Sequence, residues 1–147
     1  MSPPPRSIIV GSLSNALSTL LGVEVFDGLS TDAVPTAAGA GWIIIHSIAG
    51  GGFIPTLADD THVGRYTYQF DAMSPNRQQA EWLRDALNDA LLDRASNGDY
   101  AMSVAVKSGF VQNFRELLNP GPVDRTGTPP NQMFVAVTRL ILHVSPA

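Results

Sequence analysis

Apolar residues recur with two different periods along this chain, and the switches between them mark its elements. Val10, Leu13, Leu17 and Leu20 with Leu21 follow the i, i+3, i+7, i+10/11 spacing of one helix face. A helix is expected from Arg6 or Ser7 to Gly22, whose freedom at positive φ suits a C-terminal stop. The opposite face, Ser7, Gly11, Ser14, Asn15 and Ser18, is small and uncharged. Pro3, Pro4 and Pro5 form a stiff leader before it. Val23 to Phe26 reads as a short strand and Asp27 to Gly41 as a loop. Trp42 to Ile48 is a β-branched apolar run of the kind covered on both faces. From His62 to Ala72 the period is two: Tyr66, Tyr68 and Phe70 alternate with Arg65, Thr67, Gln69 and Asp71.

The pattern then returns to helix. Ser74 reads as the N-cap and Pro75 as the first helical residue. Ala80, Leu83, Leu87, Ala90 and Leu91 make a buried stripe flanked by Trp82, with the helix running to about Arg94 and ended by Asn97-Gly98. Met102 to Val106 is expected to be a strand. Gly109 to Leu118 fits either a short helix or an extended strand end. Met133 to Val144 reads as a long closing strand stopped by Pro146, with Arg139 as an unexpected cation inside it. Arg139 there marks a solvent face, a partner carboxylate or a subunit contact. Two long loops interrupt the pattern, 49–61 with Gly50-Gly51-Gly52 and 119–131 with Pro120, Pro122, Pro129 and Pro130. The expected fold class is α+β: one domain over 1–147, with 1–5 a flexible leader. It holds a single mixed or antiparallel sheet of about four to five strands with two main helices packed on one face.

Composition sharpens this reading in one direction. The chain has 147 residues, long enough for one core, and no cysteine, which excludes disulfides and thiolate metal sites. Only 15% of residues are charged, below the roughly 25% of a typical soluble domain. Weakly charged surface is what subunit contacts prefer, because charges are costly to desolvate there. The net charge is −4 and Lys107 is the only lysine, so a nucleic-acid grip is not expected. Residues 8–21 are too short and too polar for a membrane span, and no signal-peptide cleavage pattern follows them.

Catalytic chemistry finds no foothold. The sequence holds no phosphate-binding loop, no dinucleotide fingerprint, no nucleophile elbow and no H-E-x-x-H. His46 and His143 lie in strands, where a ring nitrogen can meet a neighbour. Asp59, Asp60 and His62 are a conceivable hard-cation set, but a loop Asp-Asp is more often a solvated turn. No enzyme, cofactor or metal is expected.

The segment from Tyr66 through the strand Tyr-Thr-Tyr-Gln-Phe-Asp and the helix bearing Arg77, Ala80, Leu83 or Leu87, Ala90 and Leu91 resembles the tail terminator (tail completion) proteins of long-tailed phages, the minor tail protein U-like group. The order of elements extends that resemblance over most of the chain, and the segments at 49–60 and 109–131 depart from it. The resemblance implies a structural virion protein that forms a hexameric ring on the head-proximal end of the tail tube. Such a ring ends tube polymerisation and offers the surface on which the head docks. Its partners would be further copies of itself, the tail tube protein and a head-completion or connector protein. DNA would pass through the lumen without specific binding, and no membrane is involved. Its place would be the virion tail, after assembly in the host cytoplasm. Loop length and composition make Gly50, Gly51, Gly52, Phe53, Asp59, Asp60, Pro122, Asp124 and Arg125 expected contact residues, and Arg139 joins them as the cation inside the final strand. The alternatives are another head–tail connector or stopper piece, and a monomeric ligand-binding or adaptor α+β domain with a pocket near Trp42 and Tyr66.

Overall fold

The computed structural model describes residues 6–27, 41–48, 53–55, 62–106, 108–126 and 132–146. Helix α1 (Arg6–Leu21) leads into strands β1 (Glu24–Asp27), β2 (Trp42–Ile48), β3 (Phe53–Pro55) and β4 (His62–Ser74). Helix α2 (Arg77–Leu92) follows, then β5 (Phe110–Leu118), β6 (Asp124–Thr126) and β7 (Met133–Pro146). The sheet runs β1-β2-β4-β7-β5. Strand β3 pairs with the start of β4 and continues the line of β2, while β6 pairs with the start of β7 and continues the line of β5. Among the described residues only β1 and β2 pair in parallel. Among the described residues the architecture is thus α+β with a mixed sheet of seven strands. The two beyond the expected four to five are three-residue pieces inside the segments read as loops.

Period-two alternation decides the core. Tyr66, Tyr68, Phe70 and Ala72 share one face of β4 and are buried. Their register partners on β7, Leu142, Leu140, Thr138 and Ala136, and on β2, Ile45 and Ile43, are buried with them. Helix α2 adds Ala80, Leu83, Leu87 and Leu91, and α1 adds Ile9, Val10, Leu13 and Leu17. A buried stripe of this kind, at about 2 kcal/mol per large aliphatic side chain, supplies most of what holds each helix down. The α1 stripe begins at Ile9 and leaves Leu20 outside, 59% exposed, because α1 stops where Gly22 (φ +66°) turns the chain into β1. Gly41 sits where α2 crosses the entry to β2. A Cβ there would lie 3.0 Å from Leu83 Cδ2 and 3.3 Å from the Met73 carbonyl oxygen, so only glycine lets the chain pass so close.

Several boundaries differ from the sequence reading. The N-cap of α2 is Asn76, whose Oδ1 accepts from the Gln78 amide at 2.9 Å. Ser74 is held instead in the ladder opposite Phe134, and its Oγ accepts from the Asn76 amide at 3.1 Å. Helix α2 ends at Leu92, with Asp93 as its C-cap, and Gly98 belongs to a separate turn closed by the Arg94–Tyr100 bridge. Met102 to Val106 forms no strand. Met102 and Val104 are buried with period two, but the backbone partners lie elsewhere: Ala101 N donates to Asp93 O at 2.9 Å and Ala105 N to Ser12 Oγ at 2.7 Å. The ambiguous segment is strand β5, which borders β7 with a bulge between Gln112 and Phe114. Strand β2 is not sealed on both faces: Trp42, Ile43 and Ile45 are buried, while Ile44 and Ile48 are half-buried.

Candidate interaction surfaces

The ladder register places nine side chains on the sheet face opposite the core, in three rows across β5, β7 and β4. The rows are Leu118–Arg139–Gln69, Glu116–Ile141–Thr67 and Phe114–His143–Arg65. Phe114 and Leu118 are each 48% exposed, and Arg139, Glu116 and Arg65 are exposed beside them. Arg139 Nε donates to Gln69 Oε1 at 3.2 Å and Gln69 Nε2 to Asp71 Oδ1 at 3.0 Å. Asp71 Oδ2 meets His46 Nε2 at 3.0 Å, so a polar chain crosses from β7 through β4 to β2. His46 therefore has the neighbour expected of a strand histidine. His143 does not. Its ring stacks on Phe114 with centroids 3.8 Å apart, its Nε2 lies 3.8 Å from Glu116 Oε2, and that nitrogen has no hydrogen-bond partner among the described residues.

A second exposed surface lies on α2. Trp82, Asp85, Asp89, Leu92 and Asp93 fall within one stripe, on the side of the helix away from Ala80, Leu83, Leu87 and Leu91. Trp82 is 55% and Leu92 45% exposed. Trp82, expected to flank the core, faces outward. A third surface is an open groove of about 780 Å³ between α1 and residues 101–105. Gly11, Ser12, Asn15, Thr19 and Leu20 on one side and Ser103 on the other are among its uncharged lining.

The expected contact residues separate into two groups. Pro122 is exposed, and Asp124 and Arg125 are exposed on β6, on the same sheet border as Leu118 beside Arg139. Phe53 begins β3 opposite Gly64, at the other end of β4. The stretch of β4 from Gly64 to Ser74 puts these two ends about 33 Å apart. Gly50, Gly51, Gly52, Asp59 and Asp60 lie outside the described residues. Trp42 and Tyr66, the walls of the alternative pocket, are both buried and lie on opposite faces of the sheet, so they line no common cavity.

One charged site escaped the sequence reading. Arg115 is only 5% exposed. Its Nη1 donates to Leu91 O at 2.9 Å, its Nε to Gln112 Oε1 at 3.0 Å, and its Nη2 to Met102 O. Burial pushes its pKa down to about 10, eased by Tyr100. The Tyr100 ring lies between the guanidinium groups of Arg94 and Arg115, at 4.1 and 4.2 Å, and its hydroxyl receives the Arg115 amide at 2.7 Å. Arg115 supplies donors to an orphan carbonyl at the C-terminus of α2, where the helix dipole favours a cation. Its role is architectural.

Among the described residues no three His, Asp or Glu side chains gather to hold a metal ion. No helix among them is long and apolar enough to cross a membrane. The fold and surfaces define an α+β domain whose notable features are exposed apolar and charged patches. No family model matches the chain, and no curated protein matches it. Among solved structures it is similar to a chain of the virion of a native gene transfer agent (GTA) particle, with a TM-score of 0.52 and 11% sequence identity. The match covers 98% of this chain and 96% of that one. At that identity the likeness is one of fold.

Proposed function

We propose that this chain is a structural protein of a phage-like virion, and that it acts as a tail terminator: a ring seated on the head-proximal end of the tail tube. The observation that supports this most is the end-to-end fold likeness to a chain of a gene transfer agent virion. The likeness runs through 98% of this chain and 96% of that one. Placement of the loops agrees. A terminator needs contacts toward the tube, toward the head and toward its neighbours in the ring. Here the two irregular borders lie at opposite ends of the sheet, about 33 Å apart, as two axial partners require. A weakly charged, lysine-poor surface suits subunit contacts and a lumen that lets DNA pass. Other head–tail connector pieces share these needs and differ in where they sit.

The deciding experiment adds the purified chain to growing tail tubes and images them by electron microscopy. The expected result is tubes of arrested length with one end carrying a ring of this protein. Tubes that grow unchanged and carry no added density at either end would overturn the reading.

A further inference from the structure

We infer that the acidic, aromatic stripe of α2 on one copy docks onto the far sheet face of β5, β7 and β4 on the next copy, making the contact that propagates the ring. The inference rests on the ring reading above and names its surfaces.

Exposed apolar side chains come first. Trp82 and Leu92 on α2, and Phe114 and Leu118 on β5, are among the few large apolar side chains of the described residues left in water. They fall on two patches that point away from one another. The α2 stripe is opposite the helix side that enters the core, and the nine-residue sheet patch is opposite the core face. Two different surfaces on opposite sides make a head-to-tail contact, the kind that closes into rings.

Charge then selects the pairing. The helix stripe carries Asp85, Asp89 and Asp93, and among the described residues none of them is in an ion pair. The sheet patch carries Arg65 and Arg139, also without a carboxylate partner, with Glu116 beside His143 between them. Spacing agrees as well. Arg139 and Arg65 are two rows and one strand apart, about 14 Å. Asp85 and Asp93 are eight residues apart on the helix, about 12 Å along its axis. Laid on the patch with an acid on each arginine, the helix carries Trp82 and Leu92, about 15 Å apart along its axis, to the two outer rows, which hold Leu118 and Phe114. Like-charge juxtaposition in the other orientations, helix on helix or sheet on sheet, disfavours two-fold dimers.

The test is charge reversal followed by sedimentation velocity over a concentration series. Asp85→Arg with Asp93→Arg reverses the helix side, and Arg65→Glu with Arg139→Glu reverses the sheet side. Each double variant is expected to weaken self-association on the order of a hundredfold. The chain carrying all four substitutions is expected to recover it. Circular dichroism establishes that each variant is folded. Neutral Asp85→Asn and Arg139→Gln variants give the same ranking with smaller effects. Single-sided variants that assemble like the parent, a four-fold variant no better than either double, or a parent that stays monomeric to its solubility limit each overturn the inference. Tube capping is assayed in parallel. Capping kept by the single-sided variants sinks the assigned faces and leaves the terminator reading standing, whereas tubes left uncapped by the parent sink that reading itself.

Discussion

A buried guanidinium is expensive unless its nitrogens find acceptors, and Arg115 shows how this chain gives each of the three one. Its acceptors are a helix-end carbonyl, a carbonyl of the irregular segment after α2 and the Gln112 side chain, with Tyr100 stacked on its face. Replacing it by Leu leaves Leu91 O and Met102 O without this donor, and is expected to cost about 3 kcal/mol by urea unfolding. Lys is expected to fail nearly as badly, since one ammonium cannot reproduce the planar fork. The pKa of Arg115 in the folded chain is the lowered one, so the cost of burying its charge acts at every pH below about 10. That cost is relieved only as pH rises through this value, so Arg115 gives stability no slope between about pH 5 and pH 9. Its sites on α2 and the connecting segment are 24 and 13 residues away, which is why nothing local in the sequence marks it. Arg139 was legible, because a cation in an apolar alternating run stands out where it is.

At the scale of elements, α2 is where pattern and packing are easiest to separate. Leu83 and Trp82 are sequence neighbours of similar apolar character, yet Leu83 is fully buried and Trp82 is 55% exposed. Leu83→Ala is expected to destabilise the fold by about 3 kcal/mol, and Trp82→Ala to stay within about 0.5 kcal/mol, compared by thermal unfolding. A large loss from Trp82→Ala would mean that this ring packs within the chain and is not free for a partner. The stripe was readable from the 3.6-residue period. The cap was not: Ser74-Pro75 pointed to one start, but the register of β4 with β7 holds Ser74 in the ladder and leaves the cap to Asn76. The same competition removed the expected strand at Met102 to Val106. Its period-two pattern is real, but Ser12 takes the Ala105 amide that a neighbouring strand would need, and the Ala101 amide just before the segment is held by Asp93.

For the whole molecule, the two exposed patches and the sparse charge describe one surface economy: few charges, and those placed beside apolar side chains. If opposite charges steer the head-to-tail contact, association weakens with salt, because the screening length falls from about 10 Å at 0.1 M to about 3 Å at 1 M. Sedimentation equilibrium across that range is expected to show a steady loss of assembled species, and indifference to salt would leave the apolar side chains as the whole contact. What the sequence by itself determined is what depends on neighbours along the chain. Helix and strand periods, the glycine stop after α1, the alternation that buries Tyr66, Tyr68 and Phe70, and the absence of catalytic motifs are all local. Which strands pair is decided only by the folded sheet. Register joins Phe114, His143 and Arg65 into one row and sends β3 and β6 to opposite ends, and the packing of α2 on the core leaves its acids and the arginines of the sheet facing away from each other. Those relations join residues far apart in the chain, and no window of sequence contains both sides of them.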